Sequence, residues 1–195
     1  MNNYLFAENV FKKSDSNTMY FPANTFLHDT ANQIDNNRNI WYSKMLYALH
    51  EPILYTNQND SLDIYRFTWL RTFHNPISIR VRKVRNQFIL TLKKTEGSGG
   101  YEAGDVIKDT SFFISRDEWD VVINKVSKIN FWELKSLLDD GGKDGSEWIL
   151  EGRRNNQYHF VSRWSPSTTR YFDFKDCCDY LLHLSNVKLT NKEMY

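Results

Sequence analysis

The sequence predicts an α+β domain: a mainly antiparallel sheet of about six strands with two or three helices packed on one face. Three observations carry this. Three consecutive alternating runs are separated by short turns between residues 63 and 94. A Ser-x-x-Glu signature opens an apolar-striped stretch at residue 115, and two aromatic-rich runs flank a polar tip at residues 152–156. Alternating strands with one apolar face need a layer to cover that face, and amphipathic helices supply one.

Residues 1–38 are Asn-rich and weakly periodic, with Pro22 as a breaker. They read as an irregular arm whose aromatics (Tyr4, Phe6, Phe11, Tyr20, Phe21, Phe26) pack it onto the body, since true disorder carries fewer rings. Residues 39–195 read as a single domain. Asn39 to His50 predicts a helix, with Ile40, Trp41, Met45, Tyr47, Ala48 and Leu49 on a broad apolar arc and Pro52 ending it. Three strands follow. Tyr65, Phe67, Trp69 and Phe73 share one face of the first, Ile77, Ile79 and Val81 one face of the second, and Phe88, Leu90 and Leu92 one face of the third. The turns at His74-Asn75-Pro76 and Arg85-Asn86 bring those faces together.

Glu96 to Gly104 reads as a mobile glycine loop near a pocket. No strand–loop–helix context or Lys-Ser/Thr makes it a phosphate cradle. Asp105 to Ile114 predicts a fourth strand. Ser115 and Glu118 form a capping box for a helix to Ile129, striped by Trp119, Val122, Ile123 and Val126. Phe131 to Leu138 predicts a short helical turn. A last helix starts near Asp173, with Phe174, Cys177, Cys178, Leu181, Leu182 and Leu184 apolar, and Asn191 to Tyr195 should fray.

The late hairpin carries the chemistry. Glu147–Glu151 and Gln157–Trp164 suit strands. A three-residue loop of Arg154, Asn155 and Asn156 would set Leu150 against Phe160, Gly152 against Tyr158 and Trp148 against Ser162 on the core face. The other face would then pair Glu147 with Arg163, Ile149 with Val161 and Glu151 with His159. A carboxylate beside an imidazole can orient it for general acid–base work, which makes Glu151, His159 and Arg163 candidate catalytic residues. Ordinary cross-strand charge pairs give the same constellation, and that is the default reading.

The outer face of the first three strands carries Arg66, Arg80 and Arg82 among hydroxyls. Arg66, Arg80, Arg82 and Glu147 are therefore candidate ligand-binding residues for a small anionic ligand or a protein partner, since guanidinium forks match carboxylate and phosphate. A solvated basic face that discourages edge aggregation is the commoner case.

Net charge is +1 over 195 residues, which supplies no global drive toward nucleic acid or membrane. Neither is expected as a partner. The adjacent Cys177 and Cys178 read as buried thiols. No zinc spacing, signal-peptide pattern or spanning run is present, so a cytoplasmic location without metal or cofactor is expected. Asp140 to Glu151 follows calcium-loop spacing, with Asp140, Asp144, Gly145 and Glu151 in register. Gly142 at the third ligand place, Glu147 at the apolar eighth place and a following strand argue against it.

Residues 144–166, D-G-S-E-W-I-L-E-G then Y-H-F-V-S-R-W-S-P, resemble a signature (D-G-x-x-W-x-x-E-G … Y-H-x-V-x-R-W-x-P) of an uncharacterised bacterial protein family. F-W-E-L (Phe131 to Leu134), W-Y-S-K-M-L-Y-A-L-H-E-P (Trp41 to Pro52) and the run from Tyr65 to Arg80 are similar to the same group. The resemblance spans about residues 40–185. It implies no activity, substrate or cofactor, because the family has none assigned. The residues point to a binding or interaction protein. A hydrolase-like enzyme using Glu151 and His159, with Arg163 or Arg66 as anion stabiliser, and an immunity-type neutralising protein are the alternatives.

Overall fold

A computed structural model describes residues 15–23, 25–26, 34–56, 62–138, 141–193 and 195. The six strands are β1 (Asp63–Arg71), β2 (Ile77–Val84), β3 (Gln87–Thr95), β4 (Val106–Ile114), β5 (Ser146–Arg154) and β6 (Gln157–Trp164). They form one antiparallel sheet in the order β4-β3-β2-β1-β5-β6. The helices are α1 (Ile34–Ala48), α2 (Arg116–Lys128) and α3 (Phe172–Leu184). The α+β class with a mainly antiparallel sheet is as the alternation predicts. Among the described residues no helix is long and apolar enough to cross a membrane.

The first three apolar faces do coincide. Tyr65, Phe67 and Trp69 of β1, Ile77, Ile79 and Val81 of β2, and Phe88, Leu90 and Leu92 of β3 enter one core with Trp148, Leu150 and Val161. That core is roofed by α2, through Trp119, Val122 and Val126, and by α3, through Phe174, Cys177, Cys178 and Leu181. The capping box of α2 forms in full: the Ser115 hydroxyl accepts from the Glu118 amide, and the Glu118 carboxylate accepts from the Ser115 amide.

The opposite face of the sheet is also buried. Tyr42, Met45 and Leu46 of α1 pack with Tyr20, Phe21 and Phe26 onto Leu70, Ile149 and Phe160. Two helices thus cover one face, and α1 with Tyr20, Phe21 and Phe26 covers the other. Of the arm's aromatics, Tyr20, Phe21 and Phe26 are buried against this face; Tyr4, Phe6 and Phe11 lie outside the described residues. α1 begins at Ile34, five residues before the start its apolar arc indicates. Asn is a weak helix former in isolation, but here Asn39 is used for tertiary bonding: its amide reaches the Phe21 carbonyl, and its Oδ1 accepts from Ser43. The helix ends through His50 at φ 51°, followed by Pro52.

The C-terminal residue is tied down rather than frayed. The Tyr195 hydroxyl accepts from the Phe73 amide at 3.1 Å and bonds His74 Nδ1 at 3.0 Å.

Candidate functional site

The hairpin register differs from the expectation. β5 and β6 join through a two-residue turn, Asn155 and Asn156, both at positive φ (49° and 63°). Left-handed conformations at both central residues make the tight turn whose twist matches the flanking strands, and Asn tolerates them. The pairs become Glu151 with Phe160, Gly152 with His159, Leu150 with Val161, and Trp148 with Arg163. One residue of slip moved β6 to its other face.

Glu151 and His159 therefore lie on opposite sides of the sheet, and the proposed acid–base pair does not exist. His159 sits on the α2/α3 side. Its Nε2 meets the Leu134 carbonyl at 2.9 Å, and its ring lies edge-on to Phe131, 5.1 Å between centroids. Burial pushes the imidazole pKa below its ordinary value, against the upward pull of the Leu134 carbonyl and Glu133. Arg163 is on the same side. It donates to the Ser136 and Lys135 carbonyls and lies over the Tyr171 and Phe174 rings. These two residues hold the segment after Phe131 against β6, on the opposite face of the sheet from Glu147 and Glu151.

Glu151 instead enters a buried charge network with the arginines. Arg66 Nε donates to Glu151 Oε2 at 2.7 Å, and Tyr158 Oη donates to Glu151 Oε1 at 3.0 Å. Arg66 Nη1 donates to the Pro52 carbonyl at 2.7 Å and reaches Glu51 Oε2 at 3.3 Å. Arg80 Nε donates to the same Glu51 oxygen at 2.8 Å, and Lys93 Nζ to the His50 carbonyl at 2.6 Å. Arg66, Arg80, Glu51 and Glu151 have no solvent-exposed side-chain surface. Arg82 on the same face is 3% exposed. The expected solvated Arg-rich face is thus an interior layer, sealed by residues 49–55 and α1.

The electrostatics follow from that burial. Burial alone would raise the Glu51 carboxyl, but Arg80, Arg66 and Lys93 outweigh it and hold the pKa low. Burial raises Glu151 despite Arg66 and Tyr158, and Glu51 adds to the rise. Arg66 remains charged, since its two carboxylates outweigh its own desolvation. The charged groups of the layer are bonded mainly to one another, with Glu51 Oε1 left without a hydrogen-bond partner among the described residues.

Glu147 lines a recess among the described residues. This recess, about 450 Å³, is bounded by Arg38 and Trp41 of α1, Thr72, Gly100, residues 141–144, Glu147 and Trp164. Ser162 Oγ donates to Glu147 Oε2 at 2.6 Å, and the Tyr42 hydroxyl lies 3.3 Å from Ser162 Oγ. Burial first, then the Glu147 charge, pushes the Tyr42 phenol well above its ordinary range, so it stays neutral.

Local sequence explains the walls. Residues 141–145 wrap the Trp164 indole so closely that a Cβ at Gly145 would lie 2.6 Å from the ring and collide with Ser165 Oγ. The wrap is pinned by the Ser146 amide to Ser165 Oγ, and the Ser165 amide to the Ser146 carbonyl. The 96–104 loop, expected to be mobile, is tethered along its length. Gly97 N donates to Ala103 O, Ser98 N to Glu102 O, Gly99 N to His74 O and Gly100 N to Thr72 O, while Trp41 Nε1 donates to Gly99 O at 2.8 Å. Phe73 and Tyr101, next in chain to the lining residues Thr72 and Gly100, stand 54% and 63% exposed with ring centroids 6.3 Å apart.

Sequence reasoning missed Arg38, Trp41 and Trp164 as walls of one recess, and Glu51 as the partner of Arg66 and Arg80. Their separation in the chain hides them.

Cys177 and Cys178 are buried and unpaired with each other, and burial pushes the Cys177 thiol up to about 12, so neither is a nucleophile at neutral pH. Among the described residues no group of His, Cys, Asp and Glu is placed to hold a metal ion. Asp139 and Asp140 of the calcium-like spacing lie outside the described residues. The sequence matches no protein-family model and no curated protein.

Proposed function

We propose that the chain is a binding protein, and that its ligand is a zwitterion of amino-acid or peptide kind held in the Glu147 recess. The observation that carries this is the composition of the walls: Arg38 and Lys143, Asp144 and Glu147, and the indoles of Trp41 and Trp164 bound one cavity. A ligand bearing both signs complements such a mixture, with its ammonium toward Glu147 and its carboxylate toward Arg38. Indole surface adds contact to alkyl or cationic groups. The volume falls within the range of small-molecule sites. The hydrolase-like reading loses its support with the separation of Glu151 from His159, and the anion-binding sheet face loses its access.

The test is calorimetric titration with a panel of the free amino acids and simple dipeptides. Saturable binding by a subset of the panel, abolished by Arg38→Met and weakened by Glu147→Gln in folded protein, is the expected result. No binding up to millimolar ligand, or binding indifferent to both substitutions, overturns the reading. One further observation favours a protein partner as a second reading. The exposed Phe73 and Tyr101 rings beside the recess have the character of interface anchors. Under that reading a peptide terminus of the partner fills the recess.

A further inference from the structure

The β3–β4 ladder ends in a like-charge pair. Lys94 and Lys108 stand directly opposite each other, on the face that also carries Leu92 opposite Thr110 and Leu90 opposite Phe112. Like charges at opposed positions destabilise a strand pair. The chain then adds a third cation. α3 ends at Leu184, Asn186 turns the backbone at φ 52°, and Val187 and Lys188 reach the same corner of the sheet. The three lysines, with Leu92, Phe112 and Val187, bound a second recess of about 490 Å³, and none of its described lining residues is acidic. Lys94 lies 3.9 Å from Glu193 Oε1, an oxygen it shares with Arg71 at 3.6 Å. Lys108 and Lys188 pair with no acid among the described residues.

We propose that this recess binds a single-chain amphiphile with an anionic head, a carboxylate or a phosphate. Its alkyl chain lies against Leu92, Phe112 and Val187, and its head sits among the ammonium groups of Lys94, Lys108 and Lys188. Charge complementarity selects this occupant. An anion placed among the three lysines relieves the repulsion that the Lys94–Lys108 pair builds into the ladder. A neutral apolar molecule would leave those charges unmatched, and a zwitterion finds no acidic wall for its cation. Lysine is a point charge on a flexible stem, so it follows either kind of head without demanding a fixed fork geometry. The volume is in the range of small-molecule sites. The inference does not rest on the Glu147 recess, which other residues bound.

The test is calorimetric titration of the full chain with octanoate, octyl phosphate and, as the neutral control, octanol, all below their micelle concentrations. Saturable binding of octanoate or octyl phosphate is expected, and the tighter of the two names the head group. Octanol should bind at least about tenfold more weakly, and Lys188→Met should weaken the anions by a similar factor. Lys108→Glu replaces the like-charge pair with an ion pair to Lys94, so it should raise the melting temperature and abolish anion binding. A misfolded variant cannot give that combination. The proposal is overturned by no saturable binding of either anion up to millimolar concentration, or by octanol binding as tightly. Binding that survives Lys108→Glu, or a melting temperature that this substitution fails to raise, overturns it equally.

Discussion

On the α1 side, Arg66 ties three parts of the fold together. Its guanidinium joins β1 to β5 through Glu151 and to the segment after α1 through Glu51 and the Pro52 carbonyl. Removing one partner of a buried pair leaves the other charge desolvated and uncompensated. Arg66→Met should therefore destabilise the protein by about 3–5 kcal/mol in urea unfolding, and adding Glu151→Leu to it should recover much of that loss. His159 provides a second residue-level prediction. Its folded pKa is held below the ordinary 6.5 mainly by burial, so folding favours the neutral ring. That contribution is complete above the unfolded value and is lost as pH falls through the folded one. Melting temperature should drop on acidification from about pH 7 to pH 5, and His159→Gln should flatten that drop. Arg66 was legible as a candidate residue but its role was not: one strand shows where a guanidinium points, and nothing local shows that Glu51, fifteen residues upstream across a turn, will cover it.

At the scale of elements, local signals were read well where one face decides. The β1–β3 meander and α2 with its capping box follow directly from alternation and from Ser115-x-x-Glu118. The β5–β6 hairpin did not follow, because both of its faces are interior. Trp148, Leu150 and Val161 bury under α2 and α3, while Ile149 and Phe160 bury under α1. Alternation cannot choose a register when both choices bury apolar side chains, and the decision falls to the Asn155-Asn156 turn. The segment of residues 141–145 has a comparable logic: its closeness to Trp164 requires a residue without a side chain. Gly145→Ala should cost about 1–3 kcal/mol by overpacking against Trp164 and Ser165, and should distort the recess that Trp164 lines. Thermal unfolding compared with Gly141→Ala, whose nearest neighbour is the mobile end of Arg38 at 3.6 Å, isolates that effect.

The whole molecule is a sheet between two covers, and this placement decides which polar groups are available for chemistry. The Arg66–Glu51–Arg80–Glu151 layer is consumed in holding the α1 cover down. His159 and Arg163 are consumed in holding the chain after Phe131. Among the groups singled out by sequence, Glu147 lines a recess that forms only when α1, the 96–104 loop, residues 141–145 and the end of β6 are brought together. The layering was legible in part, since helices over an apolar sheet face and an arm packed through its aromatics were expected; that α1 and these aromatics together bury the second face was not, because that face of β1–β3 reads as polar, with Arg66, Arg80 and Arg82. The most direct measurement of the account is the indole N–H region of a nitrogen–proton correlation spectrum during titration with the amino-acid and dipeptide panel. Occupation of the recess should give saturable shifts of the Trp41 and Trp164 signals, with those of the core residues Trp69 and Trp148 unmoved. Shifts confined to other tryptophans, or none at millimolar ligand, would contradict it.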